Sequence, residues 1–135
     1  MRDLDAVVRR FVADVWNAGW EETAHDLVGP DCPGLGGTGP EATLAWHRDR
    51  RAAFPDLRYK IVDLVVSGDR AAVRWRAAGT QLGAFGPVPP TGQVVSYSGA
   101  TFLRFGPDGR IVDVWSVNEL FQLLQQLGAD MLPPA

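Results

Sequence analysis

Cysteine and lysine are almost missing from this sequence: Cys32 and Lys60 stand alone, with only two histidines beside them. One cysteine excludes an intrachain disulfide framework, and one cysteine with two histidines cannot assemble a structural zinc site at the usual spacings. Long apolar runs are also missing. No segment approaches the roughly 20 residues of a membrane span, and the opening MRDLDAVVRR lacks the apolar stretch of a signal peptide, which predicts a cytoplasmic protein with no membrane partner. No run of five like charges occurs and the formal net charge is -3, so a polybasic surface for nucleic acid or lipid is excluded. Small molecules and other proteins remain as partners.

What is present is one ordinary domain's worth of chain, 1–135. At 14.7 kDa it has room to bury about 14,000 Å² on folding. Leu4, Val7, Val8, Phe11, Val12, Val15 and Trp16 recur at helical spacing and predict a first helix, stopped at Asn17 and Gly19. A shorter helix over Glu21–Val28 follows, then the turn-rich GPDCPGLGGTGP. Thr38 with Glu41 three residues on reads as a capping box that opens a third helix ending before Pro55.

Four β-rich runs come next, LRYKIVDLVV, RAAVRWRAA, QVVSYSGATFLRF and RIVDVWSV, separated by turn residues. The chain closes on an amphipathic helix whose stripe is Leu120, Leu123, Leu124 and Leu127, ended by Gly128. Helices first and strands afterwards predict the α+β class, with N-terminal helices packed on a curved antiparallel sheet that encloses a pocket, and a short C-terminal helix. The last residues, MLPPA, read as a loose tail. Gly34, Gly36 and Gly39 satisfy G-x-G-x-x-G, but no strand precedes them and no βαβ unit follows, so the pattern reads as a turn-rich crossing loop.

Counting by twos along the last strand places Ile111, Asp113, Trp115, Val117 and Glu119 on one face, with the Glu119 carboxylate closing an otherwise apolar row. A glutamate in the first turn of the final helix, with Asn118 as N-cap, is equally a structural device. The third helix offers two phases. Thr43, Trp46, His47, Arg50 and Phe54 share one face; Ala42, Ala45, Trp46 and Ala53 share another, which tucks Asp49 inside. Val73, Trp75 and Ala77 alternate with Arg74 and Arg76, which points the arginines to solvent or an interface. Trp16, Trp46, Trp75, Phe85 and Phe102 are candidate pocket walls, and the loop Gly83–Gly92 is expected to flank the pocket mouth or an interface. His25 is expected on an exposed helix face and Cys32 in a loop without a visible base.

The segments AAFPDLRYKIVDLVVSGDRAAVRWRAAGTQLGAFGPVPPTGQVVSYSG and DGRIVDVWSVNELFQLLQQLGA, with FPDL, GDR, PPTG and the W-x-x-x-acid pattern in order, resemble the SnoaL-like polyketide cyclase family of the NTF2-like superfamily from Phe11 to Ala129. The resemblance implies a cone-shaped α+β barrel, a deep pocket between helices and sheet, catalysis with no cofactor or metal, and a homodimer or higher oligomer formed through the outer sheet face. It also implies that Glu119, four residues after Trp115, stands where the family carries its acid/base aspartate. Trp115, Trp46, His47, Arg50, Trp75, Phe85, Phe102, Asn118 and Trp16 are then candidate contacts to a hydrophobic, polyketide-like substrate.

The family's frequent histidines before the third helix and after the Gly-Thr of the second strand are replaced here by DCPGLGG and by Gln81. The implied activity is a cyclase or isomerase. Alternatives on the same scaffold are an epoxide hydrolase, a pericyclic cyclase, or a non-catalytic binding or dimerisation module.

Overall fold

The computed structural model describes residues 2–34 and 36–128, so the expected tail MLPPA lies outside the described residues. Helix α1 (Leu4–Arg10) starts at Asp3, whose carboxylate accepts from the amides of Asp5 and Ala6 at 3.1 and 3.4 Å and satisfies two of the amides a helix start leaves free. From Phe11 to Asn17 the helix widens into π geometry, which helical spacing alone did not predict. Five residues make roughly one π turn, so Phe11 and Trp16 fall on one face, with ring centroids 5.7 Å apart. The Asn17 amide then bonds both backbone groups of Tyr59, at 2.7 and 3.0 Å, and ties this segment to the sheet edge.

Helix α2 (Glu21–Leu27) is followed by two short paired strands, β1 (Pro33–Gly34) and β2 (Gly37–Thr38), so the G-x-G-x-x-G pattern opens no βαβ unit. Gly39, at φ +74, opens helix α3 (Gly39–Ala53), and a Cβ there would sit 2.8 Å from the Pro30 carbonyl oxygen. Thr38 does stand at the N-cap, but its side chain makes no capping bond. The expected capping box does not close, because Glu41 turns instead to His25 Nε2 at 2.9 Å.

Strands β3 (Arg58–Ser67), β4 (Arg70–Thr80), β5 (Val94–Phe105) and β6 (Ile111–Asn118) form one antiparallel sheet in chain order, and α4 (Leu120–Gln126) closes the described chain. The helices cover one face of the sheet, and the core between them includes Val8, Phe11, Val15, Phe54, Val73 and Leu103. On α4, Leu123, Leu124 and Leu127 are buried while Leu120 is exposed, which narrows the expected stripe; Gly128, at φ +76, ends the helix as expected.

Register decides what the sheet shows to each side. Phe105 pairs with Ile111 but Arg104 pairs with Asp113, so Val112 is an extra residue in β6. A side-chain period of two means that one inserted residue exchanges the faces of everything beyond it. Ile111 is therefore buried on the inner face, as expected, but Asp113, Trp115 and Val117 turn outward, and Val114, Ser116 and Asn118 take the inner positions. A second bulge at Val62 does the same in β3 and leaves Val65 exposed. Arg74 and Arg76 lie on the outer face, as the alternation predicted.

Candidate functional site

A chamber of about 470 Å³ lies between α3, the π-helical segment and the inner sheet face. Its walls are largely aromatic: Phe11 and Trp16 from the π segment, Trp46 from α3, and Tyr59, Trp75 and Tyr97 from the strands. Trp75 sits edge-on to Tyr59 at 5.1 Å and to Tyr97 at 5.8 Å, which fixes its ring. Such walls suit a flat, apolar molecule and exclude water from whatever polar groups face it.

Two of those polar groups come from α3. The first phase of that helix is the one realised: Thr43, Trp46, His47 and Arg50 line the chamber, while Ala45 and Asp49 are exposed. His47 is 6% exposed, lies against the Trp16 ring at 5.5 Å and 26°, and its Nδ1 has no hydrogen-bond partner. Burial, and then the charges of Arg51 and Arg50, bring its pKa down to about 3, so the imidazole is neutral at physiological pH.

Arg50 has a buried Nη1 that is likewise unpartnered; its guanidinium lies 4.6 Å over Trp46 and 5.0 Å over Phe85, and no carboxylate among the described residues pairs with it. Burial raises the Tyr59 and Tyr97 phenols, partly offset by the positive charge of Arg50, so both stay protonated. The chamber thus holds one cation, neutral donors and no carboxylate among its described lining residues. That is an electrostatic environment suited to an oxyanion.

The sheet contributes three more polar side chains: Thr101, Ser116 and Asn118. The indole N–H of Trp75 donates to Thr101 Oγ1 at 3.0 Å, and Thr101 Oγ1 lies 2.7 Å from Ser116 Oγ. Among the described residues there is no cluster of three side chains suited to hold a metal ion.

Of the residues expected to form the site, Trp16, Trp46, His47, Arg50, Trp75 and Asn118 are brought together around the chamber. Four are placed differently. Glu119 does not line the chamber: strand geometry ends at Asn118, and the Glu119 carboxylate accepts from the Ser98 amide at 3.0 Å while its own amide donates to the Ser98 carbonyl. Trp115 is 58% exposed on the outer face and only reaches the chamber rim, because the Val112 bulge turned it outward.

Phe102, its cross-strand partner, is also outside, edge-on to Trp115 at 5.5 Å. Phe85 packs on Phe54 and beneath the Arg50 guanidinium, behind the wall. The loop Gly83–Gly92 accordingly supplies no lining residue; the amides of Leu82 and Gly83 bind the Ala53 carbonyl at the end of α3.

Sequence reasoning missed Tyr59, Tyr97, Thr101 and Ser116. The inward alternation from Trp75 was a signal for the first three, since Tyr59, Tyr97 and Thr101 stand on that same face; Ser116 required the bulge. Neither His25, half exposed on α2, nor Cys32, whose thiol is buried and pushed up by desolvation and by Asp113, faces the chamber.

The protein-family model described as SnoaL-like polyketide cyclase matches residues 6–127. No curated protein matches the chain. Among solved structures, IdmH from Streptomyces antibioticus, a candidate polyketide cyclase, is 29% identical over 95% of this chain and 100% of its own, with a TM-score of 0.80. AclR from Streptomyces galilaeus, a candidate hydroxylase, is 28% identical over 96% of this chain and 83% of its own, with a TM-score of 0.79. A SnoaL-like polyketide cyclase from Agrobacterium tumefaciens is 25% identical over 95% and 100%, with a TM-score of 0.81. Chamber and helix-covered sheet together give the α+β architecture of these proteins.

Proposed function

The chain belongs to the SnoaL-like polyketide cyclase family, and we propose that it closes a ring in a polyketide-type intermediate of secondary-metabolite biosynthesis by stabilising an enolate in its aromatic chamber. The observation that carries this reading is that His47 and Arg50 line an aromatic chamber in which, among the described lining residues, no carboxylate offsets the guanidinium. A β-polycarbonyl chain has acidic methylene protons. The His47 imidazole accepts one, the C–H electron pair becomes an enolate whose oxygen rests on Arg50, and the enolate carbon attacks a second carbonyl of the same molecule to form the new C–C bond. The resulting alkoxide takes the proton back from His47.

An imidazole held near pKa 3 is a weak base in the empty chamber. The enolate charge that develops beside Arg50 as the proton leaves carbon offsets the guanidinium and favours the imidazolium. No cofactor enters this scheme, and the partners it requires are a hydrophobic small molecule and, for pairing of the outer sheet faces, a second copy of the chain. The test is turnover of linear and partly cyclised aromatic β-polyketones, with ring closure read by NMR in a product of unchanged mass. Arg50→Met is expected to lower kcat/KM by about 10²-fold or more; turnover within threefold of wild type would reject the assignment.

The same lining favours a second reading, because no carboxylate faces the chamber among the described residues. A pericyclic closure needs the chamber to fold the substrate and Arg50 to polarise it, with no proton moved. Its mark is a kcat that survives His47→Gln.

A further inference from the structure

We propose that the Ser116 hydroxyl is a hydrogen-bond donor aimed into the chamber, and that it binds the ketone oxygen attacked during ring closure; the assignment of that oxygen rests on the cyclase reading above. The argument is one of hydrogen-bond direction. Trp75 is 4% exposed and its indole nitrogen can only donate. The Trp75 ring packs directly on the Gly99 backbone, in the space a Cβ there would occupy. Its N–H goes to Thr101 Oγ1 at 3.0 Å.

Thr101 is 1% exposed, so leaving its hydroxyl hydrogen without an acceptor is costly, and the acceptor beside it is Ser116 Oγ at 2.7 Å. Ser116 Oγ therefore accepts from Thr101, and its own hydrogen makes no bond within the described protein. Ser116 lines the chamber, so that hydrogen is available to a ligand.

Placement gives the donor its use. Ser116 is on the sheet wall, between Val114 and Asn118 on the inner side of β6, whereas Arg50 and His47 are on the helical wall. A substrate spanning the chamber meets a cationic oxyanion site on one side and a neutral, relay-polarised hydroxyl on the other. Ring closure requires one oxygen to become an enolate and another to become an alkoxide, and two separate donors match two separate oxygens. Thr101 and Trp75 act here as positioning residues, and a chain of three donors polarises its last member more than an isolated serine.

The test reads binding and spectroscopy, so it does not depend on turnover. The probe is 2-acetylnaphthalene, with 2-isopropenylnaphthalene as the isostere that lacks oxygen. The wild-type chain is expected to bind the ketone at least fivefold more tightly, by tryptophan fluorescence, and to lower its carbonyl stretching frequency in the infrared. Ser116→Ala is expected to erase both effects while the alkene affinity stays within twofold. Thr101→Ser keeps the relay hydroxyl and should keep the shift; Thr101→Val should shrink it.

A carbonyl stretch equal in wild type and Ser116→Ala overturns the donor assignment, and a full shift in Thr101→Val overturns the relay. If the shift behaves as expected but no β-polyketone is turned over, the cyclase reading fails alone and Ser116 stands as a ketone-binding group.

Discussion

The carboxylate of Glu119 and the amide of Ser98 are joined at 3.0 Å, with the Glu119 amide returning a bond to the Ser98 carbonyl. Strand β6 ends at Asn118, opposite Gly99, while β5 runs on to Val94, so the β5 edge beyond Gly99 loses its neighbour. Side chains replace the missing strand: Glu119 serves Ser98, and Gln126 serves both the amide and carbonyl of Ser96, at 2.9 and 2.8 Å. An unpaired strand edge is costly when buried and sticky when exposed, and these bonds answer both problems.

If Glu119 is structural, Glu119→Gln keeps an oxygen for the Ser98 amide and should leave kcat within about threefold and stability within about 0.5 kcal/mol. Glu119→Ala should cost about 1 kcal/mol, discounted for partial exposure, as read by urea unfolding. A loss of 10³-fold in kcat for Glu119→Gln with stability intact would return the acid/base role to this carboxylate.

His47 links stability to pH. Its folded pKa of about 3 lies below the ordinary 6.5, so between these values the unfolded chain binds a proton that the folded chain refuses. The stabilising contribution is complete above pH 6.5 and is lost as pH falls toward 3, at no more than about 1.4 kcal/mol per pH unit. In urea titrations between pH 7 and 4.5 the wild-type curve should fall more steeply than that of His47→Phe. Parallel curves would show that the folded imidazole takes up its proton normally.

Gly99 holds open the space that Trp75 fills, and a Cβ there would meet both the Trp75 ring and the Val117 carbonyl oxygen. Gly99→Ala should destabilise by about 1–3 kcal/mol through overpacking and alter the near-ultraviolet circular dichroism of the tryptophans. Unchanged melting and spectra would show that the sheet yields there without consequence.

The outer face carries Phe102 at 49%, Trp115 at 58% and Val117 at 48% exposure. Pairing of two copies through this face predicts a dimer in sedimentation equilibrium, and Trp115→Glu should shift it toward monomer while the melting of the monomer is unchanged. A wild-type chain that stays monomeric at high concentration would remove this surface from consideration as a self-interface.

Sequence by itself determined the α+β class, the order of helices and strands, the family, and several chamber residues. Apolar spacing at 3.6 and at 2 is a local property, and it placed Trp16 and Trp75 inward correctly. The helical phase shared by Trp46, His47 and Arg50 was visible too, but only packing against the sheet chose it over the phase through Ala45.

Tertiary structure decided the rest. The extra residue Val112 has no compositional signature, since a bulge is defined by the partner strand, yet it exchanged Trp115 for Ser116 on the inner face. Glu119 was legible as an acid at the end of a strand; whether it faced a substrate or mended a strand edge depended on where β6 stops relative to β5, which no single segment specifies.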